Sequence, residues 1–244
     1  MVNKSVLQSI IDKYYLGENE SVKWLIKEKS LSIDFMSSNK SVKGKIIHNN
    51  FDLENSELAI FDTKKLYNLV NICSGDLLLE LEKIKSTPTK LKISDLNFNL
   101  TYALSDPLLI SKVGNVNVPE WDAVIELSTE DVNNLIKAKS ALSGIDNMLI
   151  TTTENLDNEL VCEFVFGDEQ GHNNKITYQI KGNINSSNIK LPFNSDMFKT
   201  ILSANKDMEG GILSFSSMGL LKLEFNLGDV FSEYFLIRKA ETSF

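Results

Sequence analysis

Histidine and cysteine build most small active sites, and this chain has two of each. Cys73 and Cys162 stand far apart, each inside an apolar pattern. With no CxxC pair they read as buried free thiols, not as a structural zinc site. His48 and His172 lie in Asn-rich polar surroundings and read as turn or loop residues, without a partner that would make either a base or a ligand. There is no Walker loop, no GxGxxG after a strand, no GxSxG and no HExxH. Carboxylates are plentiful, but none has a spacing that singles out an acid/base pair. The expectation is a protein with no catalytic residue, no metal and no cofactor.

Lysine is the remaining chemistry. Arg238 is the only arginine among 25 basic residues. Arginine supplies the bidentate fork that reads guanine edges, whereas lysine is a flexible point charge suited to phosphate. A nucleic-acid role would therefore be independent of base sequence, although an AT-rich genome that favours lysine codons would leave the same trace. The lysines recur at helical spacing. Lys64, Asn68 and Asn71 fall at i, i+4, i+7 with Lys65 beside them, and Lys199, Ser203 and Lys206 repeat that spacing. Lys137 and Lys139, and Lys4 and Lys13, lie on two further helical segments. One such face is an ordinary solvated surface; four of four in an acidic chain form a pattern.

The elements that would position these lysines follow from periodicity. Helices are expected near Lys4 to Tyr15 (Val6, Leu7, Ile10, Ile11 and Tyr14 on one face), from Asp62 to about Cys73, from a capping-box start at Ser128 through Leu142, and after Asn194-Ser195. Alternation marks strands at Phe98-Leu100-Tyr102-Leu104, Cys162-Phe164-Phe166, Ile176-Tyr178-Ile180, Leu221-Leu223-Phe225 and Phe231-Phe235-Ile237. Leu77 to Leu81 and Ile212 to Phe215 are further strands. The segment Asp106 to Glu120 has Pro107, Gly114 and Pro119 and no regular period, and reads as a linker between halves.

The halves repeat. Phe61-Asp62-Thr63 with Leu66, Leu69 and Val70 matches Phe193-Asn194-Ser195 with Phe198, Ile201 and Leu202 at an offset of 132 residues. Leu7, Ile10 and Ile11 match Val132, Leu135 and Ile136 at an offset of 125. Internal duplication is the reading. The length of 244 suits two domains near 120 residues, and a hydrophobic content of 42% with 24% charged excludes general disorder. No apolar run reaches the length of a membrane span, and residues 1–11 lack the apolar core of a signal peptide, so a cytoplasmic protein is expected. The net charge of −8 argues at first sight against nucleic acid. It does not say where the charges sit.

Leu58-Ala59-Ile60-Phe61-Asp62 leading into a helix, Ser105-Asp106-Pro107 opening the linker, and Val124-Ile125-Glu126-Leu127 followed by Thr129-Glu130-Asp131-Val132 and Leu135-Ile136-Lys137 resemble the ring-shaped DNA sliding clamps. The likeness is nearest to the polymerase accessory (processivity) proteins of T4-like bacteriophages. It covers most of the chain, with extra residues read near Leu16 to Glu28. The resemblance implies an α+β DNA clamp (processivity) fold, the fold of proliferating cell nuclear antigen. Two repeated domains, 1–105 and 121–244, would be joined by a connecting segment 106–120, with helices lining the ring interior and antiparallel sheets outside. It implies a head-to-tail homotrimer around double-stranded DNA, no active site, and partners in the DNA polymerase and an ATP-dependent clamp loader, with a role in late transcription. By the family pattern Lys4, Lys13, Lys64, Lys65, Lys137, Lys139, Lys199 and Lys206 face DNA. Asp12, Asp196 and Asp207 interrupt that surface. Phe98, Leu100, Tyr102, Ile176, Tyr178 and Ile180, on the edge strands Asn97 to Leu104 and Lys175 to Lys181, meet the next subunit. Leu108, Leu109, Ile110 and Val113, completed by Tyr234 and Phe235, form a groove for partner peptides. The alternatives are a two-domain α+β enzyme or small-molecule-binding protein, which needs a convergent polar constellation that is not found, and a single-strand-binding protein, which needs aromatics interleaved with basic residues on strands.

Overall fold

The computed structural model describes residues 1–155, 157–167 and 174–239, so His172 lies outside the described residues. The chain divides into two units, residues 1–115 with 228–232 and residues 116–227 with 233–244. The first runs β1 (Val2–Asn3), α1 (Lys4–Tyr15), β2 (Val22–Lys27), β3 (Ser30–Met36), β4 (Val42–His48), β5 (Ser56–Ile60), α2 (Thr63–Ile72), β6 (Asp76–Ile84), β7 (Thr87–Ser94) and β8 (Asn99–Ala103). Its strands lie in the orders β4-β3-β2-β5 and β1-β6-β7-β8. A 3-10 turn, Pro107–Leu109, follows. The second runs β9 (Ala123–Leu127), α3 (Thr129–Ala141), β10 (Asn147–Glu154), β11 (Leu160–Gly167), β12 (Lys175–Lys181), β13 (Asn183–Ile184), β14 (Lys190–Asn194), α4 (Ser195–Ala204), β15 (Gly211–Ser216), β16 (Leu220–Leu227) and β17 (Val230–Ile237). Its orders are β12-β11-β10-β14 and β13-β9-β15-β16-β17. Strands pair antiparallel in both units.

The repeat is visible atom by atom at the helix starts. Asp62 and Asn194 each accept the backbone N–H of the third helical residue, Lys65 and Met197, at 2.8 Å. The first residue of each of these helices is a buried hydroxyl that reaches back to the loop after the preceding helix. Thr63 donates its N–H (2.9 Å) and its hydroxyl (3.0 Å) to the Glu20 carbonyl. Ser195 donates its N–H to the Asp146 carbonyl (2.9 Å) and its hydroxyl to that of Ile145 (2.8 Å). Orphan donors at a helix start are thereby satisfied by tertiary contacts as well as by caps. Asn3 and Ser128 cap the other two helices.

Each unit buries one apolar helix stripe per helix. In the first, Leu7, Ile10, Ile11 and Tyr14 of α1 and Leu66 and Val70 of α2 are buried, and Trp24 sits edge-on to Tyr14 (6.3 Å) and Phe51 (6.1 Å). In the second, Phe198 of α4 stacks on Phe164 of β11 at 6.0 Å. Side chains of this size bury about 1.5–3 kcal/mol each, and edge-on or offset ring pairs add directionality. Cys73 and Cys162 are buried thiols, and burial raises the Cys162 thiol far above its ordinary pKa.

The left-handed Leu16 (φ 46°) and Gly17 (φ 80°) close α1, and β2 starts at Val22, as far before Asn147 of β10 as α1 is before α3. Three sequence expectations need correction. His48 is not in a loop; it ends β4, half-buried, with its ring edge-on to Phe51 at 6.1 Å. In β17 the deepest residues are Ser232, Tyr234 and Leu236, so the face is set by Tyr234 and not by Phe231, Phe235 and Ile237. Phe98 and Leu104 fall outside β8, which spans Asn99–Ala103.

Candidate nucleic-acid interface

The four helices carry seven lysines and four carboxylates, leaving eighteen of the 25 basic residues and 29 of the 33 acidic ones to the rest of the chain. Taken together the helices are net basic in an acidic protein, with the surplus on α1 and α2, while lysine and carboxylate balance on α3 and on α4. Position on each helix then decides which ammonium groups reach solvent. Lys64 and Lys65 occupy the first turn of α2, opposite buried Leu66 and Val70, and both are exposed together with Asn68 and Asn71. Lys137 is exposed on α3. Lys199 is half-buried on α4, and Lys206 is exposed in the turn after it. Lys4 is half-buried and donates to the Asn71 carbonyl at 2.7 Å, where its charge meets the C-terminal end of α2. Gln8 donates to the Asn71 side chain beside it.

Lys13 and Lys139 do not lie on the exposed faces. Lys13 is 0% exposed and donates to the Ser9 hydroxyl at 2.6 Å. Lys139 is 4% exposed and pairs with Asp196 at the start of α4 at 2.8 Å. Both fall on the apolar side of their helices, one residue from the stripe, where the butylene stem packs and the amine finds a local oxygen. Neither can hold a phosphate in this arrangement. Asp196 and Asp207 are exposed and Asp12 is half-buried, so acid does share these surfaces. On α2 the lysines border an apolar depression formed with Leu69 and the half-exposed Ile72, a feature the sequence reading missed.

The proposed edge strands do end their sheets. β8 has β7 as its one neighbour in the order β1-β6-β7-β8, and β12 has β11 in the order β12-β11-β10-β14. Phe98 is 41% exposed, and Leu100, Ile176 and Tyr178 are half-buried. Tyr102 (3% exposed) and Ile180 (8%) are packed into their own units and offer a neighbour little surface. The Tyr102 hydroxyl accepts from the Asp62 N–H (3.0 Å) and donates to the Asp62 carbonyl (3.1 Å). The Tyr178 hydroxyl donates to Asp131 at 2.7 Å and accepts from Asn134 at 3.3 Å. Partial burial works against charge on Asp131, yet hydrogen bonds from the Ser128 hydroxyl, Tyr178 and the Ser128 amide hold its carboxyl below the usual range.

In the connecting segment Leu108 (89%) and Leu109 (66%) are exposed, Val113 is half-buried and Ile110 is buried. Asp106 fixes the turn by accepting the Leu108 N–H at 2.9 Å. Tyr234 cannot line a surface groove: it is fully buried, and its hydroxyl accepts from Asn205 at 2.9 Å. Phe235 is also buried. The first unit instead offers Leu25 (51% exposed) on the solvent face of β2, with half-buried Ile47 two strands away through Ser32. Strict alternation through residues 22–48 would have found this strip. Among the described residues no group of histidine, cysteine and carboxylate side chains could hold a metal, and no helix is long and apolar enough to cross a membrane.

Two helices and two antiparallel sheets, given twice in one chain, define the fold of the DNA sliding clamps. The sequence matches no protein-family model and no curated protein sequence. Among solved structures, the chain is similar to the proliferating cell nuclear antigen of A. fulgidus bound to the C-terminal region of FEN-1, with a TM-score of 0.77 and 16% identity over 99% of this chain and 98% of that one. It is similar to the Entamoeba histolytica proliferating cellular nuclear antigen (TM-score 0.73, 17% identity, 98% and 96% of the two chains). It is also similar to a chain of the PCNA2–PCNA3 complex from Sulfolobus tokodaii (TM-score 0.76, 13% identity, 99% and 98%).

Proposed function

We propose that this chain is the subunit of a sliding clamp of a T4-like phage. Three copies form a ring around duplex DNA and tether the replicative polymerase for processive synthesis. The clamp performs no catalysis, is placed on DNA by an ATP-dependent loader, acts in the host cytoplasm and also serves late transcription. One observation carries the reading: α2 exposes Lys64 and Lys65 and carries no carboxylate, and α3 exposes Lys137, in a chain that is otherwise strongly acidic. Lysine without arginine attracts phosphate diffusely and independently of sequence, with non-specific dissociation constants of order 10⁻⁴–10⁻⁶ M, as a protein that must slide requires. Lys64 and Lys65 of the first unit, and Lys137, Lys206 and the half-buried Lys199 of the second, are the lysines assigned to phosphate contact.

Assembly has support in β8 and β12, each of which ends its sheet, since an unpaired edge invites a partner strand and a head-to-tail contact closes when the rotation permits. The Sulfolobus relative by fold is a complex of two clamp chains. Partner binding has support in the exposed Leu108 and Leu109 and in the A. fulgidus clamp bound to a FEN-1 peptide region. Light scattering tests the reading: a mass of three chains is expected, and a strict monomer at high concentration overturns it. Replacing Lys64, Lys137 and Lys199 with Glu should leave that mass intact and abolish the stimulation of polymerase processivity; full stimulation would remove these lysines from the DNA face.

A further inference from the structure

The edge strands β8 and β12 share a feature that sequence alone does not reveal. Each sends one tyrosine hydroxyl to the start of a lysine-bearing helix in its own unit. From β8, Tyr102 holds both backbone groups of Asp62, the residue that caps α2 and precedes Lys64 and Lys65. From β12, Tyr178 binds one oxygen of Asp131, whose other oxygen accepts from the Ser128 amide (2.9 Å) and hydroxyl (2.5 Å) in the capping box of α3. Among the described side chains of β12, only Tyr178 is hydrogen-bonded to a helix; Gln179 and Lys181 bond to β11 and the loop before it. β12 is otherwise thinly held, with Ile180 its one buried residue. A strand that gains a partner along its outer edge becomes more ordered, and the hydroxyl passes that order to the helix start.

We infer that Tyr102 and Tyr178 are positioning residues that couple pairing at the two sheet edges to the orientation of the helices presenting lysine to DNA. The inference rests on the trimeric-clamp reading and adds to it a route from the subunit seam to the DNA face. Linkage makes the coupling reciprocal: a helix start held rigid favours a paired edge as much as a paired edge holds the helix start.

Hydrogen–deuterium exchange of the full chain tests it, at a concentration where light scattering reports the trimer and after dilution to monomer. In the wild type, residues 175–181 and the first turn of α3 should gain protection together on assembly, as should residues 99–103 and the first turn of α2. Tyr178→Phe should keep the gain in 175–181, lose it at the start of α3 and leave α2 unchanged. Tyr102→Phe should show the converse, so either variant decides the matter if the other fails to fold. A general loss of packing would not separate the two helices in this way. Equal gains at both helix starts in the variants, or no gain at either in a wild-type trimer, overturn the coupling and leave the clamp intact. A chain that stays monomeric overturns the assembly and the coupling with it.

Discussion

Eight lysines have helix-face spacing in the sequence, and burial separates them into groups that should behave differently toward DNA. Lys64 and Lys65 are exposed, whereas Lys13 and Lys139 are 0% and 4% exposed and engage Ser9 and Asp196. Each phosphate neutralised contributes about 0.9 to the slope of log K against log salt. Lys64→Gln with Lys65→Gln therefore removes up to two contacts for each subunit that touches the duplex, and the slope should fall by about 1.8 per such subunit. Between 50 and 200 mM salt that difference corresponds to about 12-fold per subunit, so the wild type should weaken by at least about 12-fold more than the double variant. Lys13→Met with Lys139→Met should leave the slope unchanged, and should instead lower the urea midpoint, because methionine fills the stem's volume but cannot bond Ser9 or Asp196. Fluorescence anisotropy on a short duplex at four salt concentrations reads the slope. An unchanged slope in the exposed pair, or a reduced one in the buried pair, refutes the assignment of phosphate contact by burial.

Three further outcomes follow from the same geometry. Asp62→Ala and Asn194→Ala remove equivalent caps and should each cost about 1 kcal/mol in urea unfolding; a large cost at one site and none at the other would count against a structural repeat there. Gly75 and Gly210 both have positive φ, but a Cβ at Gly75 meets nothing, whereas one at Gly210 runs into the Leu127 carbonyl oxygen; Gly75→Ala should cost about 1 kcal/mol and Gly210→Ala clearly more, and equal midpoints would contradict the packing. The Asp122 carboxyl is held below its ordinary range, first by the Ser217 backbone N–H (2.7 Å) and also by the Ser186 hydroxyl (3.0 Å). A depressed folded pKa gives stability that is present above the unfolded value of about 3.9 and lost as pH falls through the folded one. Asp122→Asn should therefore be less stable than wild type at pH 7, with a gap that closes below about pH 4 in urea titrations; a gap constant with pH would refute the assignment.

The parts of the fold legible in the sequence are those where local chemistry and burial agree. All four helices start where a side-chain cap precedes an apolar stripe, and α1 spans the expected Lys4–Tyr15. Cys162, Phe164 and Phe166 face inward as their alternation requires. The strands of residues 22–48 went unread although Trp24-Ile26, Leu31-Ile33-Phe35 and Val42-Gly44-Ile46 alternate. Lysines on the solvent face and short turns at Glu28-Lys29 and Lys40, all with positive φ, give that stretch the look of an irregular insertion. The lysine face was only half legible, for a geometric reason. Spacing fixes the angle of a residue around a helix but not the width of the groove beside it, and a four-carbon stem can turn inward from the margin of the stripe, as Lys13 and Lys139 do. The tyrosine contacts were not legible at all, because Tyr102 and Asp62, or Tyr178 and Asp131, are brought together by the sheet and not by any local pattern.

The net charge of −8 can now be divided by position. Residues 1–115 with 228–232 hold fifteen basic and fifteen acidic side chains, and the other unit holds ten basic and eighteen acidic, so the whole excess of acid belongs to the second unit. Yet both helices of that unit still carry lysine, Lys137 on α3 and Lys199 on α4, and the excess lies in its strands and loops. Charges farther apart than about 8 Å are largely screened at physiological salt, so the sign that DNA meets depends on the nearest face and not on the total. A chain of this kind should bind duplex weakly through any surface other than its helices, and the approach of DNA to its sheets should be opposed. That selectivity is what the proposed clamp would need: the acid of strands and loops would discourage side-on binding, while the exposed helix lysines would supply a weak, salt-sensitive attraction.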